Sequence, residues 1–213
     1  MTENTKNKYQ EKSKQRILKA ATRLFAQKDY DSVGIREICK KANANICMIS
    51  YFWDGKEGLY QGIIDDLIQR QGEYARTFVD LDEDLASLSK TVLLERINLV
   101  IEKAIEMLYG GLFSKDLICF LIRAQIHNKI KLTSPLLEYF RKLIAFLLNK
   151  EVNDKEVIFK TLFIISQINA PLVLPALSLK LLNQEEYTPE DKDIIRENIK
   201  MYVKTLFGDL SEL

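Results

Sequence analysis

The chain has 213 residues, 47% hydrophobic and 29% charged, which fits one globular domain or two small ones and argues against a disordered chain. Lys+Arg total 31 and Asp+Glu 30, but residues 1–56 carry 12 basic and 6 acidic side chains while residues 57–213 carry 19 and 24; a basic head on an acidic body directs a polyanion to the head alone. There is no uninterrupted run of 18 apolar residues, and residues 1–15 hold no apolar stretch, so neither a membrane span nor a secretory signal is expected.

Glycine is 8 and proline 4, and apolar residues recur at helical spacing almost throughout, which predicts an all-α chain of about nine helices. The first, residues 9–27, lines up Ile17, Leu18, Ala21, Leu24 and Phe25. A short second helix over 35–41 places Ile35, Ile38, Cys39 and Ala42 on one face, with Gly34 at its N-cap and Glu37 able to reach back. The third, 46–52, has Asn45 as a good N-cap and ends at the Asp54-Gly55 turn. A long fourth helix, 56–79, carries Tyr60, Ile63, Ile64, Leu67, Ile68 and Gln71.

The acidic stretch 80–84 breaks the pattern, and helix five, 92–109, stops at Gly110-Gly111. Helix six is expected over 115–129. Ser134-Pro135 opens the next, with Leu136, Phe140, Leu143, Ile144 and Leu147 at helical spacing. The helix opened by Asn153 or Asp154 is apolar nearly all round, as helices buried on several sides are, and Pro171 and Pro175 should kink or break it. The last has Thr188 as cap, Pro189 in the first turn, Asp191 at the third position and Gly208 beyond its end.

Three short helices in the basic segment, two joined by a tight turn and a long helix behind them, make a helix-turn-helix. Such a unit lays its recognition helix in the major groove while nearby cations neutralise phosphates. Residues 14–62, with Ile17, Ala20-Ala21, Leu24-Phe25, Tyr30, Ile38, Ala42, Tyr51, Lys56-Glu57 and Leu59, resemble the DNA-binding domain of the TetR family of bacterial transcriptional regulators. The run from Asn45 to Tyr51, Lys56 to Tyr60, and Glu186 to Asp191 resemble the CerR-type subgroup. The chain departs from the family at Asp29 and Asn43, where glycine is usual, and at Gly34, where Ser or Thr is usual. Asn43 tolerates a left-handed backbone, so the turn survives. The frequent Tyr-x-His-Phe becomes Ser50-Tyr51-Phe52-Trp53.

The resemblance implies a DNA-binding domain over residues 1–55, helix-turn-helix about 34–53, and a helical effector-binding and dimerisation domain over 56–213. It implies a cytoplasmic homodimer, by family habit a repressor, released from a near-palindromic operator by a small-molecule ligand. On the DNA side it assigns Gly34 and Arg36 to phosphate or groove contact, Asn45, Ile46, Cys47, Met48 and Ser50 to the bases, Tyr51 and Lys56 to phosphates, and Lys12, Lys14 and Arg16 to the flanking backbone. The apolar Ile46-Cys47-Met48-Ile49 suits thymine methyl groups better than base-edge hydrogen bonds. Residues 154–182 and 189–208 hold more apolar surface than one antiparallel pair can bury, so they are the expected dimer contact.

Plainer roles stand beside these. Trp53 and Phe52 read as packing under the recognition helix, and Cys47 and Cys119 as small apolar fillers rather than redox sites. Tyr109, Phe113 and Phe120 either line a ligand pocket or belong to the core. Arg123, set among Leu121, Ile122, Ala124 and Ile126, either binds an anionic ligand or pairs with a carboxylate, and His127 either meets a ligand or is a surface or capping group. Asp65 and Asp66 are neighbours on a helix and do not face each other. Three cysteines without CxxC spacing, one histidine and no glycine-rich phosphate loop leave no metal, cofactor or catalytic constellation in view. The alternatives to a ligand-released repressor are an effector-independent regulator or architectural factor and, more distantly, a small cytosolic helical enzyme.

Overall fold

The computed structural model describes residues 3–126 and 134–207, and the regular elements among them are all helical. They are α1 (Glu3–Gln27), α2 (Ile35–Ala42), α3 (Cys47–Trp53), α4 (Lys56–Ala75), α5 (Lys90–Tyr109), α6 (Lys115–Ile126), α7 (Pro135–Leu148), α8 (Lys155–Val173) and α9 (Pro189–Phe207). α1 starts at Glu3 rather than residue 9, because no glycine or proline interrupts the polar segment before the apolar stripe. α4 stops at Ala75, short of 79, where the Thr77 hydroxyl donates to the Tyr74 carbonyl at 2.6 Å and competes with the helical ladder. α5 begins early, at Lys90, because Ser89 caps it and its Oγ accepts from the Val92 N–H at 3.4 Å. His127, and the end of α6 expected at 129, lie outside the described residues.

These residues group into two compact units. The first holds α1, α2, α3, α4 as far as Gln71, and α6; the second holds the chain from Gly72 to Phe113 together with α7, α8 and α9. The unit that contains the helix-turn-helix thus takes in more chain than residues 1–55.

In the first unit, α1 packs against α2, α3 and α6. The expected stripe of α1 is buried, with Ile17 and Ala21 fully enclosed, and Ile38, Ile49, Leu59 and Ile64 join it. Phe25 stacks with Tyr30 and meets Tyr60 edge-on at 5.0 Å, and Phe120 of α6 meets Tyr60 at 4.9 Å. Such tilted aromatic pairs add to the burial of the rings.

In the second unit, α5 packs on α7 and α9, α7 on α8, and α8 on α9. Ile97, Ile105, Tyr139, Leu143, Ile144 and Ile164 are fully buried at its centre. The five α7 residues expected inward are all buried. Glu102 of α5 holds α9 through Arg196 Nε and Lys200 Nζ, both at 2.9 Å. Glu83 accepts from Arg96 and from the buried Tyr139 hydroxyl, and burial pushes the Tyr139 phenol well above its ordinary pKa.

α8 departs from expectation in two ways. It is buried on one side only, through Val157, Thr161, Ile164 and Ile168, while Ile158, Phe159, Leu162 and Phe163 are 41–53% exposed. It also passes through Pro171, whose carbonyl accepts the Tyr187 hydroxyl at 2.6 Å, and the expected break comes only at Val173, just before Pro175. By length and composition α8 reaches the apolarity of a membrane-crossing helix, but its buried face is built into the core of this unit. α9 starts as its sequence predicts: the Thr188 N–H donates to Asp191 Oδ2 at 2.8 Å and the Asp191 N–H to Thr188 Oγ1 at 3.2 Å, a reciprocal cap.

Candidate nucleic-acid interface

α2 and α3 are joined by a turn whose first residue, Asn43, sits at φ 47° and ψ 55°, the left-handed region that asparagine tolerates. Asn45 then caps α3: its Oδ1 accepts the Cys47 N–H at 2.9 Å and its carbonyl accepts the Met48 N–H at 3.0 Å. At the other end Asp54 (φ 55°) and Gly55 (φ 120°) turn the chain into α4. α3 is therefore a seven-residue rod held at both ends.

Its faces divide sharply. Ile49 is fully buried, whereas Ile46 is 44% and Tyr51 71% exposed. Asn45, Cys47 and Ser50 are exposed and Met48 is half-buried. Tyr51 rests edge-on against Phe52 at 5.0 Å, and together with Ile46 it leaves apolar surface in water that a partner can cover. No side-chain amide or guanidinium stands on this face apart from Asn45, whose oxygen is taken by the cap.

On α2, Arg36 is exposed. Gly34 lies in extended backbone at the N-cap of α2, close enough for its N–H to help hold the Glu37 carboxyl down. Glu37 itself is held below its ordinary pKa, first by the 2.6 Å bond from Lys28 Nζ. Lys56 opens α4 with its Nζ 4.2 Å from the centre of the Tyr30 ring, a cation–π placement that stations the ammonium beside the helix N-terminus. Lys12 and Arg16 on α1 are exposed and Lys14 is half-buried. The Cys39 thiol is buried and its pKa raised, which leaves it inert.

Trp53 packs as expected, but against two residues that sequence periodicity does not single out: Gly58 and Gly62 of α4. A methyl group at residue 62 would lie 2.4 Å from the indole Nε1, and one at 58 would lie 1.8 Å from the Trp53 carbonyl oxygen. Two glycines four apart on a helix share a face, and that spacing is the signal the sequence offers.

The residues considered for a ligand do not assemble within either unit. Phe120 belongs to the aromatic cluster of the first, and Arg123 Nη2 donates to Asp29 Oδ1 at 2.7 Å, so of its two readings the carboxylate pair is the one formed. Tyr109 and Phe113 are buried in the second, where the Tyr109 hydroxyl donates to the Ile168 carbonyl at 2.7 Å. Cys119 is half-buried. Among the described residues no group of three or more His, Cys, Asp or Glu could hold a metal ion.

Residues 17–63 match the family model for bacterial regulatory proteins of the tetR family. The chain is 23% identical over 209 residues, 93% of its length, to the "Probable HTH-type transcriptional regulator YttP" of Bacillus subtilis (strain 168), covering 97% of that protein. Its fold is similar to that of a TetR transcription regulator from Haloarcula marismortui (TM-score 0.55, 15% identity, covering 91% of this chain and 97% of that one). It is also similar to that of NalD, the secondary repressor of the MexAB-OprM multidrug efflux pump in Pseudomonas aeruginosa (TM-score 0.54, 15% identity, 93% and 96% covered). The family and these relatives are transcriptional regulators, not enzymes. The exposed face of α3 is thus carried on a helix-turn-helix that matches the tetR family model, and residues 17–63 form a TetR-type DNA-binding domain.

Proposed function

We propose that the protein is a homodimeric cytoplasmic repressor that grips a near-palindromic operator through α3 and is released by a small-molecule ligand. The observation that carries the DNA side is the split of α3, with Ile49 sealed in the core and Ile46 and Tyr51 turned to solvent. Cys47, Ser50 and the half-buried Met48 join Ile46 at the bases, and their chemistry suits thymine methyl groups. Tyr51, Arg36, Lys56 and the Gly34 N–H take phosphates.

The dimer rests on the bare apolar side of α8, continued by Ile194 and Met201 of α9, which are 55% and 64% exposed. Monomers seldom leave so large an apolar patch in water. Two-fold pairing sets two α3 helices one DNA turn apart, about 34–36 Å, hence the palindrome. Ligand release works by linkage. The ligand need only prefer a form in which α4, which runs from Lys56 out of the first unit, holds α3 off its half-site. A hundredfold preference provides about 2.7 kcal/mol.

The deciding experiment is a titration of the full chain against the DNA upstream of its own gene, at several salt concentrations, with a scrambled fragment as control. Tight binding to the native fragment alone, with a steep salt slope, is expected. Equal weak binding to both would overturn sequence-specific repression. Replacing thymine by deoxyuridine in the bound fragment should weaken binding, and unchanged affinity would refute methyl readout. A second reading, a regulator without an effector, is favoured by the internal partners of Arg123 and Tyr109. No release from the operator by any compound in a broad small-molecule screen would support it over ligand control.

A further inference from the structure

Trp53 is the chain's single tryptophan and the last residue of α3. It is half-buried, and its neighbours on α4 are two glycines. Carbon atoms in contact sit about 3.5–4 Å apart, so the 2.4 Å and 2.6 Å that would separate a residue-62 methyl from the indole Nε1 and Cδ1 admit no side chain there. The 1.8 Å at residue 58 is tighter still, and it is measured to backbone, which cannot swing aside. Glycine within a helix is destabilising, and neither position has a positive φ that would demand it. What these glycines supply is space: a flat seat on α4 for one large ring and its carbonyl.

We propose that Trp53, seated on Gly58 and Gly62, is the positioning residue that sets the angle at which α3 meets DNA, an inference that rests on the interface proposed above. α3 is anchored at three points: the Asn45 cap, the buried Ile49 and the Trp53 seat. A seven-residue helix is only about 10 Å long. Displacing its last residue by about 1 Å, the least that a residue-62 methyl demands, tilts it by about 6° if the Asn45 end stays fixed. Ser50 and Tyr51 lie within a turn of Trp53 and move roughly 0.6 and 0.75 Å, enough to misplace groups that must meet DNA at hydrogen-bond distance.

The test uses the full chain with Gly62→Ala, Trp53→Phe and the double variant. It measures operator affinity, the thermal midpoint and, where Trp53 remains, its emission, which reports on this one seat. Gly62→Ala should stay folded, shift the emission to longer wavelength and weaken operator binding at least tenfold. Phenylalanine leaves room for the methyl, so Trp53→Phe with Gly62→Ala should bind within about threefold of Trp53→Phe alone. Should Gly62→Ala fail to fold, recovery of both folding and binding in the double variant supports the seat. Wild-type affinity and emission in Gly62→Ala, or a double variant no better than Gly62→Ala, would overturn it. If the wild type itself prefers no sequence, the interface has failed, and the unchanged or shifted emission of Gly62→Ala still decides whether the seat exists.

Discussion

Leu162→Lys tests the proposed dimer most directly. Full burial of an apolar side chain is worth about 1.5–3 kcal/mol, and Ile158, Phe159, Leu162 and Phe163 are each 41–53% exposed, so each has about 1 kcal/mol still to gain from a partner. The four supply about 4 kcal/mol per protomer and about 8 kcal/mol for a two-fold pair. That only matches the lower part of the association cost, and residues of α9 and 173–182 must contribute the surplus. Lysine at 162 removes about 1 kcal/mol from each copy, and symmetry doubles the loss to about 2 kcal/mol, near thirtyfold in dissociation constant, before the cost of two facing ammonium groups. Sedimentation across a dilution series reads this directly. Leu112→Lys is the control: Leu112 is 48% exposed, close to the 50% of Leu162, but belongs to the turn after α5 and not to α8. Both variants should melt near the wild type, with dissociation promoted only by Leu162→Lys. Equal association of the two variants, or a wild type monomeric at micromolar concentration, would refute the reasoning.

Other outcomes are expected. Lys56→Ala should flatten the salt dependence of operator binding by about 0.9 for each phosphate no longer neutralised, about two across a dimer, and Tyr51→Ala should weaken binding about tenfold without shifting the melting midpoint. Tyr109→Phe removes the buried bond to the Ile168 carbonyl, which keeps its helical partner, and should cost about 1 kcal/mol, lowering the melting midpoint by about 2–4 °C. Glu37 is held below its ordinary pKa by Lys28 and the Gly34 N–H, so the stability it confers is present above the usual carboxylate pKa near 4.3 and lost as pH falls through its depressed value. Glu37→Gln should therefore melt lower than wild type at neutral pH and lose less on acidification, as followed by circular dichroism.

Much of the fold is legible in the sequence because local chemistry and packing agree. Ser134-Pro135, Thr188 with Asp191, and Asn45 each mark a helix start by the hydrogen bonds their side chains make, and Asn43 marks a left-handed turn. Periodicity finds the buried stripes of α1 and α7. What periodicity cannot see is what an apolar residue meets. α8 is apolar all round, which reads as burial on every side, whereas half of it is bare. In the same way Arg123 and Asp29 are 94 positions apart, and no spacing rule pairs them. The Trp53 seat escapes because glycines in a helix read as weak formers until the ring above them is known.

The place of α6 has a consequence for synthesis. The unit that carries α3 is discontinuous: Phe25 and Tyr60 find Phe120 only after residues 72–113 have left the ribosome. Until then Phe25 and Tyr60 pack on each other and on Tyr30 but lack the ring that α6 adds, and that intermediate exposes sticky surface. A fragment ending at Gln71, though it contains the whole helix-turn-helix, should aggregate, because the helix that finishes its core is encoded further along the gene. Transplanting this DNA-binding unit onto another regulator therefore requires both pieces of chain.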